Sequence, residues 1–171
     1  MKFKAHLCAA AALAACLAAH AEFSVEVDAP RVRVVIPELP QVKMEPHPSH
    51  AEHANLRLIG VDGPYMVTLN TPDADAGMKP QQCANIIAGA LTKRPGVPGQ
   101  ENITRARLDP NTYAAMYVVP KKGGQMQLNA HLISAGGGTH CVELHVAMVT
   151  ADRDEAQAWF RKVASARIEQ K

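Results

Sequence analysis

Residues 125–150 read QMQLNAHLISAGGGTHCVELHVAMVT, and this stretch decides the fold. Met126, Leu128, Ala130 and Leu132 alternate along one face. Val142, Leu144, Val146 and Met148 do the same sixteen or so positions later. A period of two marks strands with one face in a core. Gly136, Gly137 and Gly138 lie between the runs and precede a strand, so they read as a hairpin turn and not as a phosphate cradle. Laying the apolar faces together pairs Ala130 with Leu144 and Leu128 with Val146. The same register sets His131 opposite Glu143 and Asn129 opposite His145. A slip of one residue would put apolar against polar throughout, so the faces are strongly specified.

The flanks extend this hairpin into a domain over residues 55–171. Asn102–Leu108 and Tyr113–Val119 flank the turn sequence Asp109-Pro110-Asn111-Thr112, which makes an antiparallel meander of four strands. Leu56–Val61 and Tyr65–Leu69 flank Asp62-Gly63-Pro64, a second turn signal. Between the two groups, Pro80 occupies a first helical position. Cys83, Ile86, Ile87, Ala90 and Leu91 then form one helical face that carries Cys83 inward. Arg94-Pro95-Gly96 ends that helix. Downstream, Asp152 is the expected N-cap, with Glu155 as its capping-box partner. Ala156, Trp159, Phe160, Val163 and Ala164 make an apolar stripe. Asp154 and Glu155 come early, Arg167 and Lys171 late, so the helix is expected to run to the C-terminus. The expected fold is α+β: an antiparallel meander sheet in ββαββββα order, packed by two helices.

That order resembles the PsbP-like fold. The resemblance covers residues 56–170 and is carried by Tyr65–Pro72, Cys83–Leu91, Tyr113–Pro120, Gln125–Ser134, Thr139–Thr150 and Trp159–Phe160. The family comprises photosystem assembly factors and bacterial extracytoplasmic proteins, several of them lipoproteins. The resemblance implies an antiparallel sheet between helices and a binding or assembly role. It transfers no functional residue.

The first twenty-one residues read as an address. Lys2 and Lys4 precede the apolar run Leu7–Ala18, and Ala19-His20-Ala21 offers an A-x-A cleavage site. This is the pattern of a secretory signal peptide, residues 1–21. The apolar run is shorter than the ~20 residues of a membrane span, and no later run reaches that length, so no transmembrane helix is expected in the mature chain. A second reading is a lipobox, Leu13-Ala14-Ala15-Cys16, which would anchor the chain to a membrane through lipidated Cys16. The expected location is therefore export to the periplasm, with an outer-membrane lipoprotein as the alternative.

Cleavage changes the arithmetic of a 171-residue chain with 18 Lys+Arg and 16 Asp+Glu. Losing Lys2 and Lys4 leaves 16 basic against 16 acidic residues, so the +2 surplus disappears. That excludes a strongly basic nucleic-acid binder. Of four Cys, only Cys83 and Cys141 remain, and in an exported chain they are expected to form one disulfide.

Residues 22–54 carry Pro30, Pro37, Pro40, Pro46 and Pro48. Each proline removes a backbone donor, so the segment reads as an extended arm or linker, with an edge strand near Val32–Ile36. Fully extended it would reach ~100 Å at ~3.1 Å per residue. It contains His47, His50 and His53 at three-residue intervals, beside Met44, Glu45 and Glu52. Three imidazoles on a pliable arm suit Zn or Cu. The competing reading is a polar connector, in which Ser49 and Glu52 cap one helical turn.

Within the domain, His131, Glu143, His145 and Asn129 share one sheet face and form a possible polar surface site. Cys141 shares that face, so a helix bridged through Cys83 must cover one end of it. Two imidazoles and a carboxylate suffice for proton transfer or a metal, but such residues are also the ordinary polar face of a sheet. Ser24, Ser49, Ser134 and Ser165 lie in no G-x-S-x-G context, so nucleophilic catalysis finds no support. Arg105 and Arg107 alternate outward on one strand and suit an anion, but two Arg on a solvated strand need no special explanation. The expected function is an exported bacterial, non-enzymatic binding or interaction protein of the cell envelope. Its partner would be an envelope protein or a small ligand, and no cofactor is required. The alternative is a periplasmic metal-binding protein using the His-rich arm.

Overall fold

The computed structural model describes residues 22–28 and 30–171; the expected signal peptide and Cys16 lie outside the described residues. In chain order the strands are β1 (Glu22–Asp28), β2 (Arg31–Pro37), β3 (Glu45–Pro46), β4 (Leu56–Asp62), β5 (Tyr65–Asn70), β6 (Thr104–Arg107), β7 (Tyr113–Pro120), β8 (Met126–Ala135), β9 (Cys141–Thr150) and β10 (Arg167–Gln170). Helix α1 spans Pro80–Leu91 and helix α2 spans Arg153–Ala164. The strands form two antiparallel sheets, one in the order β1-β2-β10 and one in the order β3-β4-β5-β9-β8-β7-β6. Among the described residues the fold is α+β with two α-helices and one disulfide, and its central meander β6-β7-β8-β9 follows the sequence pattern.

The two faces of the large sheet are covered differently. One face presents Val67, Leu69, Leu128, Leu132, Leu144 and Val146 to the main core. The small sheet and α2 cover it, with Phe23, Val34, Ile168 and Trp159 among the buried side chains. The other face carries Ala115, Tyr117, Ile133, Ala135 and Cys141, and α1 covers it with Cys83, Ile87 and Leu91. Those three positions lie at i, i+4 and i+8, a single row down the helix. Ile86, expected on the inner face, is 54% exposed: the buried side of the helix is Cys83, Ile87, Ala88 and Leu91, and Ile86 falls beside it. Cys83 and Cys141 form the disulfide between α1 and β9, with Cα atoms 5.7 Å apart.

The β8–β9 register differs by two residues from the one read from alternation. Ala130 pairs with Val146, Leu132 with Leu144 and His131 with His145, while Asn129 faces Ala147 and Glu143 faces Ile133. A shift of two keeps every side chain on its face, so hydrophobic alternation cannot detect it. The turn decides instead. It closes at Ala135–Cys141, with the Gly136 N–H donating to the His140 carbonyl at 2.9 Å. Gly137 and Gly138 take positive φ of 77° and 60°, which suits residues without a Cβ. Gly136 has another reason: a Cβ there would run into the ring of Pro30.

Residues 22–54 are no tether. β1 and β2 form a hairpin whose Phe23, Val25, Val27, Val32, Val34, Val35 and Ile36 are buried, and Leu39 and Val42 follow them into the interior. Burying such side chains contributes roughly 1.5–3 kcal/mol each. The prolines do not interfere because of where they fall. Pro30 is in the turn, Pro37 ends β2, and no proline lies between Arg31 and Ile36. β2 is therefore the centre of its sheet and not an edge. On the outer side of β1, the Gln41 side chain accepts from the Ser24 N–H at 3.1 Å and donates to the Ser24 carbonyl at 3.2 Å.

The C-terminus differs too. α2 ends at Ala164, and Arg167–Gln170 returns as a strand beside β2. This buries Ile168, whose N–H donates to Thr112 Oγ1 at 2.8 Å. The expected N-cap is present: Asp152 accepts from the N–H groups of Asp154 and Glu155 at 2.7 and 3.2 Å. Glu155 completes the cap indirectly. It accepts from the Thr150 hydroxyl, which itself receives the Asp152 N–H at 3.0 Å. Arg161 and Lys162 take the place of Arg167 and Lys171 at the negative end of the helix.

Candidate functional site

Four neighbouring strands direct their polar side chains to the α1 side of the large sheet. β5 supplies Asn70, β9 Glu143 and His145, β8 Asn129 and His131, and β7 Tyr117. Pairing of β5 with β9 sets Asn70 beside Glu143, and pairing of β7 with β8 sets Tyr117 beside Asn129. The four residues singled out in the sequence thus do come together. They do so in the interior: Asn129, His131 and Glu143 are 1–2% exposed.

The contacts form a chain. His131 Nδ1–H donates to Glu143 Oε1 at 2.7 Å, and Tyr117 Oη meets His131 Nε2 at 3.3 Å. Glu143 Oε2 accepts from Asn70 Nδ2 at 3.2 Å and faces Arg94 Nη2 at 3.9 Å. His145 Nε2 lies 3.1 Å from Asn129 Oδ1, which also accepts from Gln127 Nε2 at 3.0 Å. The His131 and His145 rings stack 4.2 Å apart at 4°. Tyr117 continues the stack on the far side of His131, at 5.7 Å and 15°.

Burial and charge set the proton positions. Burial is the largest influence on His145 and holds it down to about 3; His131 and Arg94 push the same way against Glu143. The ring is neutral at pH 7, so its Nε2–H donates to Asn129. For Glu143, burial alone would raise the carboxyl. The His131 hydrogen bond and charge, Arg94 and Asn70 outweigh it and keep the carboxyl below its ordinary value. Burial raises Tyr117. Asn70 Oδ1 is the one fully buried side-chain oxygen or nitrogen of this network without a partner. The donors and acceptors are spent on one another, which is how a buried polar network becomes stabilising.

Sequence reasoning missed Tyr117, Asn70 and Arg94 as members. Asn70 carried a weak signal, an amide at the end of an apolar run. Its partner Glu143 is 73 positions away, and only the β5–β9 pairing reveals the contact.

His47, His50 and His53 are not gathered around a common point. The Ser49 N–H donates to His47 Nδ1 at 3.1 Å, and His50 Nδ1 donates to the Leu56 carbonyl at 2.8 Å. The rings thereby fix a turn whose backbone bonds run from Glu52 and His53 to the Ser49 carbonyl. His53 instead lines a polar opening with Glu52, Asp73 and His140. Among the described residues no three His, Cys, Asp or Glu side chains are grouped closely enough to hold a metal ion. Likewise, no described helix is long and apolar enough to cross a membrane.

An open cleft of about 680 Å³ lies where β6 ends and β7 continues alone. Pro98, Met116, Val118, Pro120 and Phe160 give it an apolar lining, with Tyr117, Asn102 and Thr104 beside them. No protein-family model matches the chain, and no curated protein matches it either.

Proposed function

We propose that the protein is an exported bacterial binding or interaction protein of the cell envelope, without enzymatic activity. The observation that carries this reading is the closure of its only His–Glu pair among the described residues whose rings and carboxylate meet within the sheet. A general acid or base must reach its substrate within hydrogen-bond distance or through one water. His131 and Glu143 are buried and bonded to each other, to Tyr117 and to Asn70. They act as a polar rivet in the sheet. The open features have the character of recognition surfaces: an apolar cleft at a strand edge, and a groove between α1 and β6. The signal-peptide pattern of residues 1–21, the Cys83–Cys141 disulfide and the likeness of the element order to the PsbP-like fold support the same reading.

Cell fractionation with intact-mass measurement tests the location. A periplasmic chain beginning at Glu22 is the expected result; a membrane-bound chain beginning at diacylated Cys16 would replace the soluble form with the lipoprotein. Full-length chain confined to the cytoplasm overturns export. A photo-crosslinking side chain at Val118 tests the binding role in the same cells. A discrete adduct from Val118, absent from Ile86, supports it, and no adduct from Val118 counts against it.

A further inference from the structure

α1 and the strand β6 leave a second groove between them, of about 180 Å³. Two arginines and two carboxamides line it: Arg105 and Arg107 from β6, Gln81 and Asn85 from α1. Gln81 and Asn85 are at i and i+4, on one helix face. Arg105 pairs across the ladder with Ala115 and Arg107 with Tyr113, which directs both arginines to the α1 side. The floor is apolar, made by Ala88, Ala115 and Ile133.

The charge in this groove is one-sided. The arginines are its only charged lining residues, and no described carboxylate forms an ion pair with either. Arg107 is also held in place. Its Nε–H donates to the Asp109 carbonyl at 3.2 Å, Nη2 faces the Pro110 carbonyl at 3.4 Å, and the guanidinium lies 5.9 Å from the centre of the Tyr113 ring. Carbonyls orient a cation without neutralising it, so Nη1 remains available to an incoming anion. A guanidinium fixed beforehand loses less freedom on binding.

We propose that this groove binds a small organic monocarboxylate, its head on Arg105 and Arg107 and its hydrocarbon tail on Ala88, Ala115 and Ile133. Planar forked donors match a carboxylate. An apolar floor favours a ligand with a tail over a bare phosphate, which would leave that surface unused. The space suits a small acid and not a protein segment. The proposal gives the binding reading above a ligand class and rests on that reading. Its test uses the purified chain, so a cytoplasmic location would sink the envelope assignment and leave the groove standing.

The experiment is a two-dimensional amide NMR titration of the disulfide-bonded protein with hexanoate, hexylamine and inorganic phosphate. Hexanoate is expected to shift the Ala84, Ala88, Arg105 and Ala115 signals saturably, and hexylamine is not. Arg105→Gln combined with Arg107→Gln should weaken hexanoate about tenfold or more, as loss of charged hydrogen bonds implies. Arg105→Lys with Arg107→Lys, which keeps the charge and discards the fork, should lie between. Absence of saturable shifts, equal shifts from hexylamine, phosphate binding as well as hexanoate, or undiminished binding in the folded Gln variant each overturns the proposal.

Discussion

His131 and His145 face each other across β8 and β9 with rings 4.2 Å apart, yet only His131 touches a carboxylate. The neighbouring ring stays neutral because burial holds it down to about 3, far below its ordinary 6.5. In the unfolded chain His145 takes a proton as pH falls through about 6.5; in the folded chain it resists until about 3. Stability is therefore full above that range and falls across it as acid is added, by at most about 1.4 kcal/mol per pH unit. Glu143 adds a second loss, confined to pH below its ordinary 4.5. Urea unfolding from pH 7 to 4 should show the decline. His145→Gln should flatten it above pH 5, and an unchanged slope would refute the assignment to this ring.

Glu143 ties β9 to β8 through His131 and to β5 through Asn70. Glu143→Ala strands both donors in the interior and should cost at least about 1–3 kcal/mol. Glu143→Gln preserves the shape and should cost less. Equal stability of wild type and the Ala variant in chemical unfolding would mean that the network carries no weight.

Removal of residues 22–54 should abolish cooperative folding, because it takes away the wall that covers Leu132, Leu144 and Val146. Near-ultraviolet circular dichroism and dispersed amide NMR signals report the outcome. A truncated chain that keeps both would restore the idea of a detachable arm.

Reduction of Cys83–Cys141 releases a loop of 58 positions. The chain-entropy argument puts an upper figure of ~4 kcal/mol on this crosslink. Cys83→Ser with Cys141→Ser should lower the unfolding midpoint accordingly. Hydrogen exchange should rise first in α1, which the disulfide ties to β9.

Trp159 is 2% exposed under the small sheet. Trp159→Ala should cost about 3–5 kcal/mol in a urea melt. A loss below 1 kcal/mol would place it outside the core in solution.

Much of this fold was legible because its signals are local. The alternation of Met126–Leu132 and Val142–Met148, the cap at Asp152 and the turn at Asp109–Thr112 all act within a few residues. The register of β8 on β9 was not, since a shift of two leaves alternation intact. The β1–β2 hairpin was obscured by counting prolines where their positions mattered. β10 is only four residues long, too short for periodicity to separate it from a continuing helix. For the polar cluster, residue identities were readable but enclosure was not, because burial depends on α1, Arg94 and the partnership of β5 with β9.

The place of β2 between β1 and β10 joins residues 22–37 and 167–170, far apart in sequence, in one sheet. The Lys171 N–H even donates to the Arg31 carbonyl at 3.0 Å. A polypeptide emerging from its N-terminus therefore presents an apolar hairpin long before the strand that completes it exists. Closure of this sheet waits for Arg167–Gln170, so truncations before Arg167 should act as failures of maturation more than as trimmed edges.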